Sequence, residues 1–186
     1  MSNLTTTPTN YYLTSQLPNL VIVKLSEAMS VTGYTAVQLA KRNASVWTRV
    51  QMILAPLQFL AFLVSLALVI HYLLTGDGYV IANVSVLFKI ALLWLITVTG
   101  MIWEKEIFGH WFLAPQFFWE DVGNAVAMLM HNLYFLAVWL GWSHQAVMTL
   151  MLIAYISYLL NCAQFIARGL QARRQRLALT AEAVQS

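Results

Sequence analysis

The sequence predicts an all-α membrane protein, an antiparallel bundle of four transmembrane helices with both termini in the cytoplasm. Three observations predict it. The 186 residues are 60% hydrophobic and only 9% charged, against about 25% charged in a soluble domain, so the chain has too little polar surface to face water. Apolar runs of the ~20 residues needed to cross a bilayer recur at about 48–74, 80–102, 122–141 and 145–167. Basic residues cluster outside that set, with Lys41, Arg42 and Arg49 before the first run and Arg168, Arg173, Arg174 and Arg176 after the fourth. The two outer loops carry none, and the positive-inside rule then puts both ends in the cytoplasm. The net charge of +3 is accounted for by topology and does not point to nucleic acid.

Residues 1–33 are rich in Thr, Asn and Ser and include Pro8 and Pro18. Their apolar patch LVIVKL (20–25) is too short to span. A loose or interfacial extension is expected there, with no charged n-region that would mark a cleavable signal peptide. TAVQLAKRN (35–43) reads as a short helix with Thr35 as N-cap. It opens a membrane domain over 34–174, followed by a cytoplasmic tail at 175–186. The first span ends at TGDG (75–78) and the third at Gly141. The loops TGDGY and GWSH are short enough to force antiparallel neighbours. The single cysteine, Cys162, excludes a disulfide framework or a CxxC site within one chain.

Between spans two and three lies WEKEIFGHWFLAPQFFWED (103–121), expected as a cytoplasmic connection. It holds four of the 7 acidic residues, Glu104, Glu106, Glu120 and Asp121, among aromatic rings at headgroup level. Glu106 points away from Glu104 on any helix and is expected to pair with Lys105. Polar residues inside spans are costly and mark working sites. Trp47, Gln51 and Gln58 share one face of span one. Glu120, Asn124 and His131 form a stripe on span three, with His131 about 16 Å deeper than Glu120. Asn161 and Gln164 are i, i+3 neighbours on span four. These groups converge on a pocket open to the cytoplasmic face, floored by His131. Each also has a plainer reading, as interhelical hydrogen-bond glue for the amides and as a packed histidine for His131. Lys89, level with His131, either snorkels outward or meets a ligand anion. His71 and His144 are expected to be solvated at the outer interface.

There is no HxxxH, GxGxxG or phosphate-binding loop, and no serine set beside a histidine in a nucleophile elbow. What remains is carboxylates plus histidine in an apolar, aromatic pocket. Desolvation there favours a protonated carboxyl, and proton transfer is the chemistry such groups support. Flat rings suit a planar, membrane-dissolved ligand. The residues alone do not name it.

The stretches VWTRVQMILAPLQFLAFLVSLAL (46–68), TGDGY (75–79), VTGMIWEKEIFG (98–109), LAPQFFWEDV (113–122) and YISYLLNCAQF (155–165) closely resemble the 2-vinyl bacteriochlorophyllide hydratases. The likeness covers about Tyr34 to Arg174, and the N-terminal residues stand outside it. The resemblance implies a multi-pass enzyme of the bacterial inner membrane, with its active site in the cytoplasmic half. It adds water across the ring-A vinyl group of a chlorophyllide or bacteriochlorophyllide, giving a 1-hydroxyethyl group. It implies no cofactor, because the magnesium is carried by the substrate. On that reading Glu120 is the first choice of acid, and Glu104 or Asp121 orients the water. His131 joins the proton relay or ligates the substrate magnesium axially. Trp103, Phe117, Phe118 and Trp119 hold the macrocycle, with Gln58, Asn124, Asn161 and Gln164 as polar contacts. Lys89 meets the propionate, or more easily Lys105 or Arg49 at the interface. Homo-oligomers or contacts with other pigment-synthesis enzymes are compatible with this. The alternative is a non-catalytic pigment- or quinone-binding membrane subunit, which would tolerate amides in place of Glu104, Glu120 and Asp121. A transporter is disfavoured by the lack of an inverted repeat.

Overall fold

A computed structural model describes residues 34–185; the N-terminal extension lies outside them. The described residues are helical, with no strand. Helix α1 is Ala36–Ala44. Thr35 caps it as expected, its hydroxyl accepting from the Gln38 amide while the Gln38 side chain accepts from the Thr35 amide. Four long helices follow: α2 Val46–Thr75, α3 Tyr79–Phe108, α4 Phe118–Trp139 and α5 His144–Gln185. All four are long and apolar enough to cross a membrane, and the chain is a membrane protein. The 30 residues of α2 or α3 reach about 45 Å, more than the ~30 Å hydrocarbon core.

Three boundaries differ from expectation because helices do not stop where apolar runs stop. α3 continues through Trp103–Phe108, and α4 already begins at Phe118. The connection between them is therefore only residues 109–117, and the pocket acids are helical. α5 runs unbroken past the fourth apolar run to Gln185, so the basic tail continues the helix. The turn between α2 and α3 rests on Gly76 and Gly78, both left-handed at φ 79° and 80°, a conformation in which a Cβ is strained.

α2 packs along α3, and α4 along α5; the two pairs meet chiefly through α2 and α5. Large apolar side chains such as Met52, Leu60, Val80, Leu129 and Leu160 face outward, where lipid is their solvent. Small or polar residues line the helix interfaces: Ala82, Ala127 and Ala154 are buried, which allows close backbone approach. Polar side chains bond across the helices. Ser65 joins the Tyr155 hydroxyl at 2.6 Å and the Ser85 hydroxyl at 2.9 Å. The Tyr134 hydroxyl donates to Asn83 at 2.7 Å.

Lys89 and His131 meet at mid-bundle, each 0% exposed, bonded Nζ to Nε2. His131 Nδ1 lies 2.7 Å from the Ala127 carbonyl. A carbonyl can only accept, so Nδ1 carries the ring proton and Nε2 accepts from the amine. The Lys89 amine also lies 4.1 Å from the Tyr158 ring centre and 5.1 Å from that of Tyr155, within cation–π range. The snorkelling expectation for Lys89 is thus corrected: its partners are one imidazole and two ring faces.

Candidate active site

A cavity of about 500 Å³ opens between the two helix pairs, at the end where α2 starts and α3 finishes. α2 contributes Gln51, Ala55, Gln58 and Phe59. α3 contributes Thr97, Trp103 and Glu104, and the connection adds Phe112 and Phe117. α4 contributes Asp121 and Asn124, and α5 contributes Tyr158, Asn161, Cys162 and Phe165. The α5 set is spaced i, i+3, i+4 and i+7, one helix face. That pattern stands in the sequence, but reading Asn161 and Gln164 alone misses Tyr158 and Phe165.

Most of this wall is apolar, and its polar groups fall into two sets. One is satisfied internally. Gln51 donates to the Thr99 hydroxyl at 2.8 Å, and Asn124 to the Thr97 hydroxyl at 3.2 Å. The Trp103 indole N–H donates to Thr48 at 2.9 Å. The other set is buried without a protein partner: both amide atoms of Gln58, Asp121 Oδ2 and Asn161 Oδ1. Gln58 is 2% exposed. An unpaired buried polar atom costs about 1–3 kcal/mol, so three such residues on one cavity mark it as a site for a polar guest.

Glu104 and Asp121 are adjacent on the cavity wall. The Ala114 amide donates to Glu104 Oε2 at 3.4 Å, and the Leu113 amide faces the Asp121 carboxyl. Leu113 has φ 57°, a left-handed conformation costing about 1–2 kcal/mol for a residue with a Cβ. That backbone turns two successive amides toward two carboxyls, the geometry of a small nest. Trp103, Phe108 and Phe117 pack edge to face at 5.6–5.8 Å, and Tyr34 joins them at 5.5 Å from Phe108. Burial among these rings pushes the Tyr34 phenol above its ordinary value, so it stays neutral.

Several expected site residues lie elsewhere. Glu120 turns from the cavity to an ion pair with Arg168, 2.9 Å from Nη1 to Oε1. His131 does not line the cavity and meets it only through Tyr158; both its nitrogens are engaged, which leaves no free lone pair for a magnesium. Lys89 does not line the cavity either. Phe118 and Trp119 are 42% and 70% exposed and meet edge to face, facing outward. Lys105 donates to the Gly109 carbonyl and lies over Trp111. Glu106 accepts from Ser45, not from Lys105. Gln164 packs over Gly123, beside Asn161, and does not line the cavity. His144, exposed, stacks on Tyr79 at 3.7 Å. Among the described residues no three His, Cys, Asp or Glu side chains group as a metal site.

The family model described as 2-vinyl bacteriochlorophyllide hydratase matches residues 34–171. The 2-vinyl bacteriochlorophyllide hydratase of Rhodobacter capsulatus is 49% identical over 142 residues, covering 76% of this chain and 83% of that protein. The protein of the same name from Cereibacter sphaeroides is 49% identical over 140 residues, covering 75% of this chain and 88% of its own. No solved structure matches the chain.

Proposed function

The chain belongs to the 2-vinyl bacteriochlorophyllide hydratase family, and from that premise we propose that the cavity takes the vinyl-bearing ring of a bacteriochlorophyllide and hydrates it. The protein is a hydro-lyase enzyme by that membership. The observation that carries the site assignment is the pair Glu104 and Asp121, set beside unpaired buried amides in an aromatic cavity.

The cavity lining contains no Lys, Arg or His. Two carboxyls in one apolar site cannot both ionise cheaply, so the pair holds one proton between them. The protonated member gives its proton to the terminal CH₂ of the vinyl group. Positive charge develops on the carbon attached to the macrocycle, which spreads it through the π-system. The remaining carboxylate stabilises that charge. Water adds to the same carbon, and its surplus proton returns to the carboxylate pair. The sum is one water added, with no electron gained or lost. Gln58 and Asn161 offer a donor and acceptors to hold the water, and Trp103, Phe117 and Phe112 flank the macrocycle. Glu120 and His131 take no part in this scheme, and no cofactor belonging to the protein is invoked. We further propose that the four spans run antiparallel. The end carrying Arg49, Lys105 and Arg168 then faces the cytoplasm of a bacterial inner membrane, with residues 34–174 as the membrane domain and 175–186 beyond it.

The direct test is to incubate the purified protein with a vinyl-bearing chlorophyllide and weigh the product. A gain of one water is expected, and in D₂O one deuteron enters the new methyl group. Absence of a hydrated product sinks the proposal, and label on the ring-attached carbon overturns the order of protonation. A second expectation concerns Gly123, where an added Cβ would stand 2.8 Å from Asn161 Oδ1 and nearer still to Gln164. Gly123→Ala gains about 1 kcal/mol of helix propensity but must displace Asn161. Thermal stability is therefore expected to hold while turnover falls, and native turnover in this variant removes Asn161 from the scheme.

A further inference from the structure

We infer that Arg168 is the recognition site for the substrate's free propionate carboxylate, so that the enzyme selects the acid over its esters; this rests on the hydratase reading above. A chlorophyllide differs from an esterified chlorophyll in carrying a free carboxylate, and that charge must stay near water while the vinyl edge enters an apolar cavity. Arg168 stands where this demands a cation. It lies on α5 at i+7 from Asn161 and i+3 from Phe165, both of which line the cavity. Its guanidinium carbon is 4.0 Å from the centre of the Phe117 ring, which also lines the cavity. The side chain is 30% exposed, so the group lies at the mouth of the site.

Arg168 has capacity to spare. A guanidinium carries five N–H donors in a planar fork suited to a carboxylate, and one nitrogen, Nη1, bonds Glu120. Glu120 holds the fork in place from the side of α4, leaving its other edge available. Other cations nearby are less well placed. The Lys105 amine is committed to the Gly109 carbonyl and the Trp111 ring, and Arg42 lies over Tyr34. Arg49, Arg173 and Arg174 are exposed, whereas Arg168 is partly buried against a ring that lines the cavity.

The test compares a vinyl chlorophyllide as free acid and as its propionate methyl ester, measuring both binding and turnover. The wild-type enzyme should bind the acid about tenfold better, the range of a partly exposed charge-assisted pair, and the preference should shrink as ionic strength rises. In Arg168→Gln the KM for the acid should rise toward that of the ester while kcat is retained. Glu120→Gln should keep the preference for the acid. Equal binding of acid and ester by the wild type overturns the inference, as does an Arg168→Gln variant that keeps the preference. Where Arg168→Gln does not fold, the wild-type comparison and its salt dependence decide alone. Acid-selective binding without hydration of either pigment would strike at the hydratase reading and leave the carboxylate site standing.

Discussion

Glu104→Gln and Asp121→Asn should each lower turnover by about 10²–10⁴-fold, the span of general acid–base contributions, without loss of folded protein. Each amide keeps the volume of the acid. The carbonyl oxygen of the substituted Glu104 still accepts from Ala114, as its Oε2 does now. Either change also removes an ionisable group from an apolar cavity that holds two. Thermal stability should therefore stay level or rise as activity collapses, a combination that a merely structural acid would not give. The double variant should be little worse than the poorer single one, since a pair sharing one proton acts as a unit. Native turnover in either single variant would end the assignment. Glu120→Gln should lose far less, because its carboxylate faces Arg168.

The second large effect is on stability. His131→Ala strips Lys89 of its one side-chain hydrogen-bond partner at 0% exposure. Breaking a buried polar pair in this way costs on the order of 3–5 kcal/mol, visible as a steep fall in melting temperature in detergent or lipid. Lys89→Met with His131→Leu removes both groups, and most of the loss should return, since well-packed apolar residues replace a buried pair at little cost. The refolded double variant separates structure from chemistry. Retained turnover means that the pair supports the bundle, and lost turnover with restored stability would return His131 to the proton relay. A melting temperature unmoved by His131→Ala would contradict the buried pairing itself.

Much of this molecule is legible in its chain, and the illegible parts share a cause. Long apolar runs and terminal arginines suffice to predict membrane helices, because lipid solvation acts on each segment separately. The Thr35 cap is equally local, and Thr35 and Gln38 confirm it. The gathering of Gln51, Gln58, Asn124 and Asn161 around one cavity is also foreshadowed, since polar residues in spans turn inward. The choice between Glu120 and Asp121 is different. They are neighbours in sequence and about 100° apart around the helix. Asp121 lines the cavity, its carboxyl facing the left-handed turn at Leu113, while Glu120 pairs with Arg168, 48 residues away. Likewise Lys89 finds its partner 42 residues on, and Phe118 and Trp119 turn outward because α4 begins at Phe118 and rotates them toward lipid. The sequence by itself determined four membrane-length helices, because composition and periodicity act within a segment, and its motifs carried the hydratase resemblance separately. Only the tertiary structure decided which acids meet in the cavity and which cation guards its mouth, because the rotation of each helix is set by partners on other helices.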